Sequence, residues 1–96
     1  MAEPLIRTRL AGALDFDSVP EVWPSLESRI RAARRLLVSL AGVEKANSAA
    51  LALLLEGLSL ARRIGCELTY TDLPRELLDL ARASNVEGLI AGTPRK

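Results

Sequence analysis

The spacing of apolar residues changes several times along the chain, and each change marks a predicted element. Apolar and polar residues alternate from Leu5 to Leu10, which is typical of a strand. Ala11-Gly12 then predicts a turn into a second short strand, Ala13 to Phe16. Apolar residues at helical spacing follow up to Ala33. The first third of the chain is therefore predicted to be a strand pair followed by a helix.

The middle of the chain predicts a buried strand, a loop and a long helix. Leu36 to Ala41 is almost wholly apolar, which is typical of a central strand covered on both faces. A loop is expected from Gly42 to Asn47. The helix is expected from Ser48 to Ile64, because Gly65 can adopt the left-handed conformation that ends helices.

The last third predicts one more strand and one more helix. Residues alternate again from Cys66 to Thr71, and an apolar stripe runs along a helix from Pro74 to Ser84. Val86 to Ile90 fits either an edge strand or coil, and Thr93 to Lys96 is expected to be a frayed tail. The order predicts one α/β domain over residues 1–96, with an ordered core of about 5–92. It has a mixed open sheet of four or five strands and about three helices, mainly on one face.

The amino-acid composition limits the classes of function that the protein is expected to have. Half of the 96 residues are apolar, which is enough for one core. The net charge is +1 and the arginines are interleaved with acids, so a nucleic-acid partner is not expected. Ala49 to Ala61 is too short to span a membrane, and the N-terminus lacks a signal peptide, so we expect a cytoplasmic protein without direct membrane insertion. Cys66 is expected to be a buried packing residue.

The residues that catalysis needs are scarce. There is no histidine, no glycine-rich phosphate loop and no cluster with metal-ligand spacing, so we expect no enzyme activity, cofactor or metal. Asp15 and Asp17 are better explained as turn and cap residues, with Asp17 or Ser18 capping the first helix.

The helix from Ser48 to Ile64 has more apolar surface than one sheet face requires. At 100° per residue its apolar residues cover an arc of about 220°, against about 100° for a helix lying on a sheet. The arc holds Leu53, Leu60, Gly57, Ile64, Ala50, Ala61, Leu54, Leu58, Leu51 and Leu55. Either neighbouring helices of the same domain cover the excess, or another protein does.

These segments resemble the STAS (sulfate-transporter and anti-sigma-antagonist) family over nearly the whole chain. The resemblance rests on Ala11-Gly12-Ala13-Leu14-Asp15 followed by Trp23, on Asn47 to Leu55, and on Leu60-Ala61-Arg62-Arg63 with Gly65. Within the family, the chain is most similar to the STAS subunits of the bacterial Mla phospholipid-transport ABC complexes, which help to maintain outer-membrane lipid asymmetry. The resemblance implies a non-enzymatic subunit, peripheral at the inner membrane, that binds the ATPase subunit and through it the permease and substrate-binding subunits.

The resemblance also implies a contact site at the start of the long helix. It consists of Asn47, Ser48, Ala49, Ala52, Leu53 and Glu56. The alternative is an anti-sigma-factor antagonist, in which a partner kinase phosphorylates the serine of an Asp-Ser-Ser/Thr-Gly type motif. Here Asn47 and Ala50 replace the aspartate and the glycine around Ser48, which favours the transporter subunit. The helical spacing of Trp23 favours a core position over an interface anchor.

Overall fold

A computed structural model of the protein describes residues 4–90, which form three strands and four helices. In chain order these are β1 (Leu5–Leu14), α1 (Val19–Ala32), β2 (Arg35–Ala46), α2 (Ser48–Ile64), β3 (Glu67–Thr71), α3 (Arg75–Ala83) and α4 (Glu87–Ile90). The strands form one sheet in the order β1-β2-β3, and both pairs are parallel. The α/β class is confirmed, whereas the prediction of a mixed sheet with four or five strands is wrong for this part of the chain. The predicted tail, Thr93 to Lys96, lies outside the described residues.

The predicted strand pair at the N-terminus is a single strand, β1. Gly12 has a φ of +78°, as a turn glycine would, but the chain does not reverse there. Instead Ala11 and Gly12 pair with Gly42 and Val43 of β2, and the register shifts on both sides of this pair. Such shifts are β-bulges, which twist a strand without ending it. The prediction of a turn at Ala11-Gly12 is therefore wrong.

Strand β2 is longer than predicted, and only one of its faces is fully buried. The expected loop from Gly42 to Asn47 is strand up to Ala46, because these residues pair with the second half of β1. Alternate residues of β2 are fully buried, namely Leu36, Val38 and Leu40, whereas the intervening Leu37 and Ser39 are half-buried. The helices therefore cover one face of the sheet, and the predicted coverage of both faces is wrong.

Helix α2 has the bounds that the sequence predicts, and it packs through its buried side against α1, α3, α4 and β3. Tyr70 of β3 is almost fully buried, and its hydroxyl donates a 2.8 Å hydrogen bond to the carbonyl oxygen of Leu54. The helix passes close to this hydroxyl at Gly57, where a Cβ atom would collide with it. Gly65 ends the helix with a φ of +82°.

The segment after α3 is neither strand nor coil. The chain turns through Asn85, which has a φ of +60°, and then forms α4. Ile90 of this short helix is fully buried, and Leu89 is 53% exposed. The predicted edge strand over Val86 to Ile90 is therefore wrong, because the segment closes the end of the core as a helical turn.

Candidate functional site

Asn47 fixes the start of α2 through two hydrogen bonds, one accepted by its side chain and one donated by its backbone N–H. The Asn47 side-chain oxygen accepts a 2.9 Å hydrogen bond from the N–H of Ala49, and the Asn47 N–H donates to the carbonyl of Leu14 at 3.3 Å. The first bond is an N-cap and the second ties the helix start to the end of β1. Asn47 is thus the cap of α2, and Ser48 is its first helical residue.

Three of the predicted contact residues form an exposed stripe. Ser48, Ala52 and Glu56 are spaced four residues apart on α2, so they lie on one side of the helix, and all three are exposed. The Ser48 hydroxyl has no hydrogen-bond partner among residues 4–90, and Glu56 has no ion pair there. This stripe therefore presents a free hydroxyl and a free carboxylate to solvent.

The other predicted contact residues lie deeper. Asn47 is half-buried, Ala49 is 6% exposed and Leu53 is 2% exposed. Leu53 belongs to the hydrophobic core, Ala49 is buried one turn before it, and both carry apolar side chains. They support the exposed stripe from beneath and offer little surface of their own.

A shallow depression of about 370 Å³ lies between α1 and α2, next to the stripe. Its lining is formed by Val19 and Trp23 of α1 and by Ala52, Leu53 and Glu56 of α2. Trp23 is half-buried, with part of its indole packed on the core. The predicted core position of Trp23 is therefore incomplete, because the same side chain also forms one wall of a surface depression beside Ala52 and Glu56.

The loop between β1 and α1 adds an exposed aromatic ring that the sequence interpretation missed. Phe16 is 69% exposed and follows Asp15, whose carboxylate accepts hydrogen bonds from the N–H groups of Ser18 and Asp17. These bonds, that of Ser18 first, lower the pKa of Asp15. The Ser18 hydroxyl donates to Ala13 O at 2.7 Å instead of capping α1. The turn role of Asp15 is thus confirmed, and it fixes the loop that carries Phe16.

One carboxylate from a distant element also reaches the start of α2. Glu76 of α3 accepts a 3.2 Å hydrogen bond from the N–H of Ala46, two residues before Ser48. Sequence spacing gives no sign of this contact, because the residues are 30 positions apart. It places a carboxylate at the last residue of β2, two positions before the exposed Ser48.

Among residues 4–90 no three acidic or cysteine side chains are close enough to hold a metal ion. Cys66 is buried, as predicted, and burial raises the pKa of its thiol. In the same part of the chain no helix has the length and apolar character needed to cross a membrane.

Solved structures of other proteins share this fold. The anti-sigma factor antagonist SpoIIAA in its unphosphorylated form matches with a TM-score of 0.70 and 12% identity, over 94% of this chain and 82% of that one. The STAS domain of the SulP transporter from Vibrio cholerae matches with a TM-score of 0.66 and 13% identity, over 94% of this chain and 70% of that one. At these identities the likeness concerns the fold alone.

The family assignment comes from the sequence. No curated protein matches the chain at a significant level. The family model described as "Mlab, STAS domain", however, matches residues 6–91. That match includes nearly all of the sheet, helices α1 and α2, and the exposed stripe of α2. STAS domains are generally regulatory or interaction domains, in agreement with the site geometry. The chain belongs to the MlaB-type STAS-domain family.

Proposed function

We propose that this protein is a non-enzymatic subunit that binds the ATPase subunit of a phospholipid-transport ABC complex. In this role it supports the assembly and activity of the ATPase and so helps to maintain outer-membrane lipid asymmetry. It would lie in the cytoplasm, held at the inner membrane through the permease and substrate-binding subunits of the same complex. The supporting observation is the exposed stripe of Ser48, Ala52 and Glu56 in a chain of the MlaB-type family.

The surface around the stripe has the character of a protein interface. The apolar depression walled by Trp23 is lined by Ala52 and Glu56, and Ser48 lies one turn before Ala52, so an apolar anchor of the partner can enter next to the polar side of the stripe. Interfaces of this kind combine a desolvated aromatic centre with a polar rim. The contact residues would be Ser48, Ala52 and Glu56 at the surface, with Asn47, Ala49 and Leu53 holding the helix beneath them.

The test is affinity purification of the tagged protein from its native cells, with mass spectrometry of the recovered proteins. We expect the wild type to recover an ABC ATPase and its permease. Ser48→Arg should lose both, because a long charged side chain at the first turn of α2 blocks close approach. Ser25→Arg is the matched control, since Ser25 is an exposed serine on α1 outside the depression, and it should recover the complex normally.

Ser48 also supports a second candidate function, an anti-sigma-factor antagonist controlled by phosphorylation. The hydroxyl is exposed and has no partner among the described residues, so a kinase can reach it. Two features weigh against this function. Asn47 and Ala50 replace the motif residues on either side, and Glu76 brings a carboxylate to the N–H of Ala46, two residues before Ser48.

The same purification separates the two functions. Recovery of a protein kinase in place of the transporter, together with phosphate on Ser48, would overturn the transporter proposal. Retention of the ATPase by Ser48→Arg would place the contact elsewhere on the domain.

A further inference from the structure

A second and larger depression lies on the other flank of α2. This groove has a volume of about 540 Å³ and runs between the C-terminal half of α2, the start of β3 and α4. Its apolar lining is contributed by Leu55, Leu58, Cys66, Leu68 and Leu89. Leu89 is 53% exposed, and the three other leucines are half-buried. The groove is therefore an apolar surface that the described part of the domain leaves uncovered.

The rim of the groove is positively charged. Arg62 and Arg63 of α2 line it, both are exposed, and neither has an ion pair among residues 4–90. The acidic residues of β3 and α4, the two other elements that border the groove, are engaged elsewhere, because Glu67 pairs with Arg35 and Glu87 pairs with Arg82. An occupant that carries carboxylates would find two unpaired guanidinium groups beside an apolar floor.

The groove also borders an open strand edge. Among the described residues β3 pairs with β2 on one side and with no strand on the other. Leu68 lies on the helix-covered face of β3, the face that carries the buried Tyr70, and it lines the groove. A strand added at this edge would therefore place every second side chain in the groove beneath α2.

We propose that an extended, acidic segment of a partner protein adds to the free edge of β3 as a fourth strand. Its alternate apolar side chains fill the groove, and its carboxylates pair with Arg62 and Arg63. A peptide fits better than a lipid because only a peptide uses the backbone N–H and C=O groups of the edge. A second copy of β1 is disfavoured because that strand brings Arg7 and Arg9. This surface is separate from the Ser48 stripe, so the protein would hold two partner segments, one on each flank of α2.

The test uses the full-length protein and fluorescein-labelled octapeptides. The first peptide alternates valine and aspartate, the second alternates valine and lysine, and the third is the first with alternate amides N-methylated to block strand pairing. Fluorescence anisotropy should show the aspartate peptide binding at least tenfold more tightly than either control. The double variant Arg62→Glu/Arg63→Glu should lose that preference, and its far-UV circular dichroism should be unchanged because both residues are exposed.

The location is checked by two-dimensional NMR of the labelled protein. The aspartate peptide should shift the backbone amides of Leu68 to Thr71 and leave those of Ser48 and Ala52 in place. The proposal is overturned by equal binding of the three peptides, by no binding of the first, or by shifts confined to the Ser48 stripe. It is also overturned if dioleoylphosphatidylglycerol vesicles bind through Arg62 and Arg63 while the peptide does not, which would make the groove a lipid site.

Discussion

The two sides of α2 differ in how deeply their residues are buried and in what their side chains contact. The inward side is formed of apolar and small residues, and Leu54 and Ala50 on it are fully buried. The outward side carries Ser48, Ala52 and Glu56, whose side chains make no hydrogen bond or ion pair with the described residues. Substitutions on the inward side should therefore lower the stability of the fold, whereas residues on the outward side are available to contact a partner.

This comparison also answers how the wide apolar arc of α2 is covered. Most of its members are buried by α1, α3, α4 and the sheet, so the domain itself covers most of the excess. Leu55 and Leu58 stay half-buried and Ile64 is 43% exposed. The apolar surface of α2 that remains available to other proteins is thus limited to the flanks of the helix.

The largest expected effect is a difference in stability between variants of two adjacent residues, Leu53 and Ala52. The sequence places both residues in the same contact site. Leu53→Ala should lower the free energy of unfolding by about 2–5 kcal/mol, because it removes a buried side chain and leaves a cavity. Ala52→Glu should change it by no more than about 0.5 kcal/mol, since Ala52 is exposed. Urea unfolding followed by circular dichroism measures both values. Equal stability of the two variants would mean that Leu53 does not face the interior.

A smaller effect is expected at Gly57, where α2 passes the hydroxyl of Tyr70. Gly57→Ala should cost about 1–3 kcal/mol, because its Cβ atom and that hydroxyl cannot occupy the same space. The hydroxyl stays protonated as a donor to Leu54, since burial raises the pKa of Tyr70.

The matched control removes only the oxygen. In a Tyr70→Phe background the next contacts of the new Cβ atom are Ile30 at 3.4 Å and Leu26 at 3.5 Å, which are ordinary distances. There Gly57→Ala should be neutral, or stabilising by up to about 1 kcal/mol through helix propensity. A double-mutant cycle of the four proteins gives the coupling energy, and a value near zero would place the helix farther from Tyr70 than the structure does.

Helix α2 could be predicted to the residue because its end signals are local. Asn47 caps it through the adjacent Ala49 N–H, and Gly65 ends it with a left-handed conformation. Neither signal depends on the rest of the fold. The strands were harder because their extent is decided by the partner strand. Gly12 looks like a turn residue in sequence, and only its pairing with Val43 makes it part of a bulged strand.

The exposure of the proposed contact residues was predictable only in part for the same reason. Helical periodicity places Ser48, Ala52 and Glu56 on one side of α2, and the structure shows that side exposed. Helical periodicity does not show which edge of the exposed side packs against α1. From the sequence, Leu53 was therefore placed among the surface residues. Val19 was missed because its place in the depression beside α2 depends on how α1 packs, and the exposure of Phe16 depends on the loop after β1. For Phe16, the signal available in the sequence was a large apolar residue just before a predicted helix.

The smallest expected effect concerns the cap that orients the exposed side of α2. Asn47→Ala should lower the free energy of unfolding by about 1 kcal/mol, because the N–H of Ala49 loses its acceptor. Asn47→Asp is the matched control, since its carboxylate keeps an acceptor at the same position and its charge is favourable at a helix start. It should be at least as stable as the wild type. Urea unfolding, with hydrogen exchange of the Ala49 amide, distinguishes the variants. If Asn47→Asp were as unstable as Asn47→Ala, the contribution of Asn47 would come from its packing beside Leu14 and not from the cap.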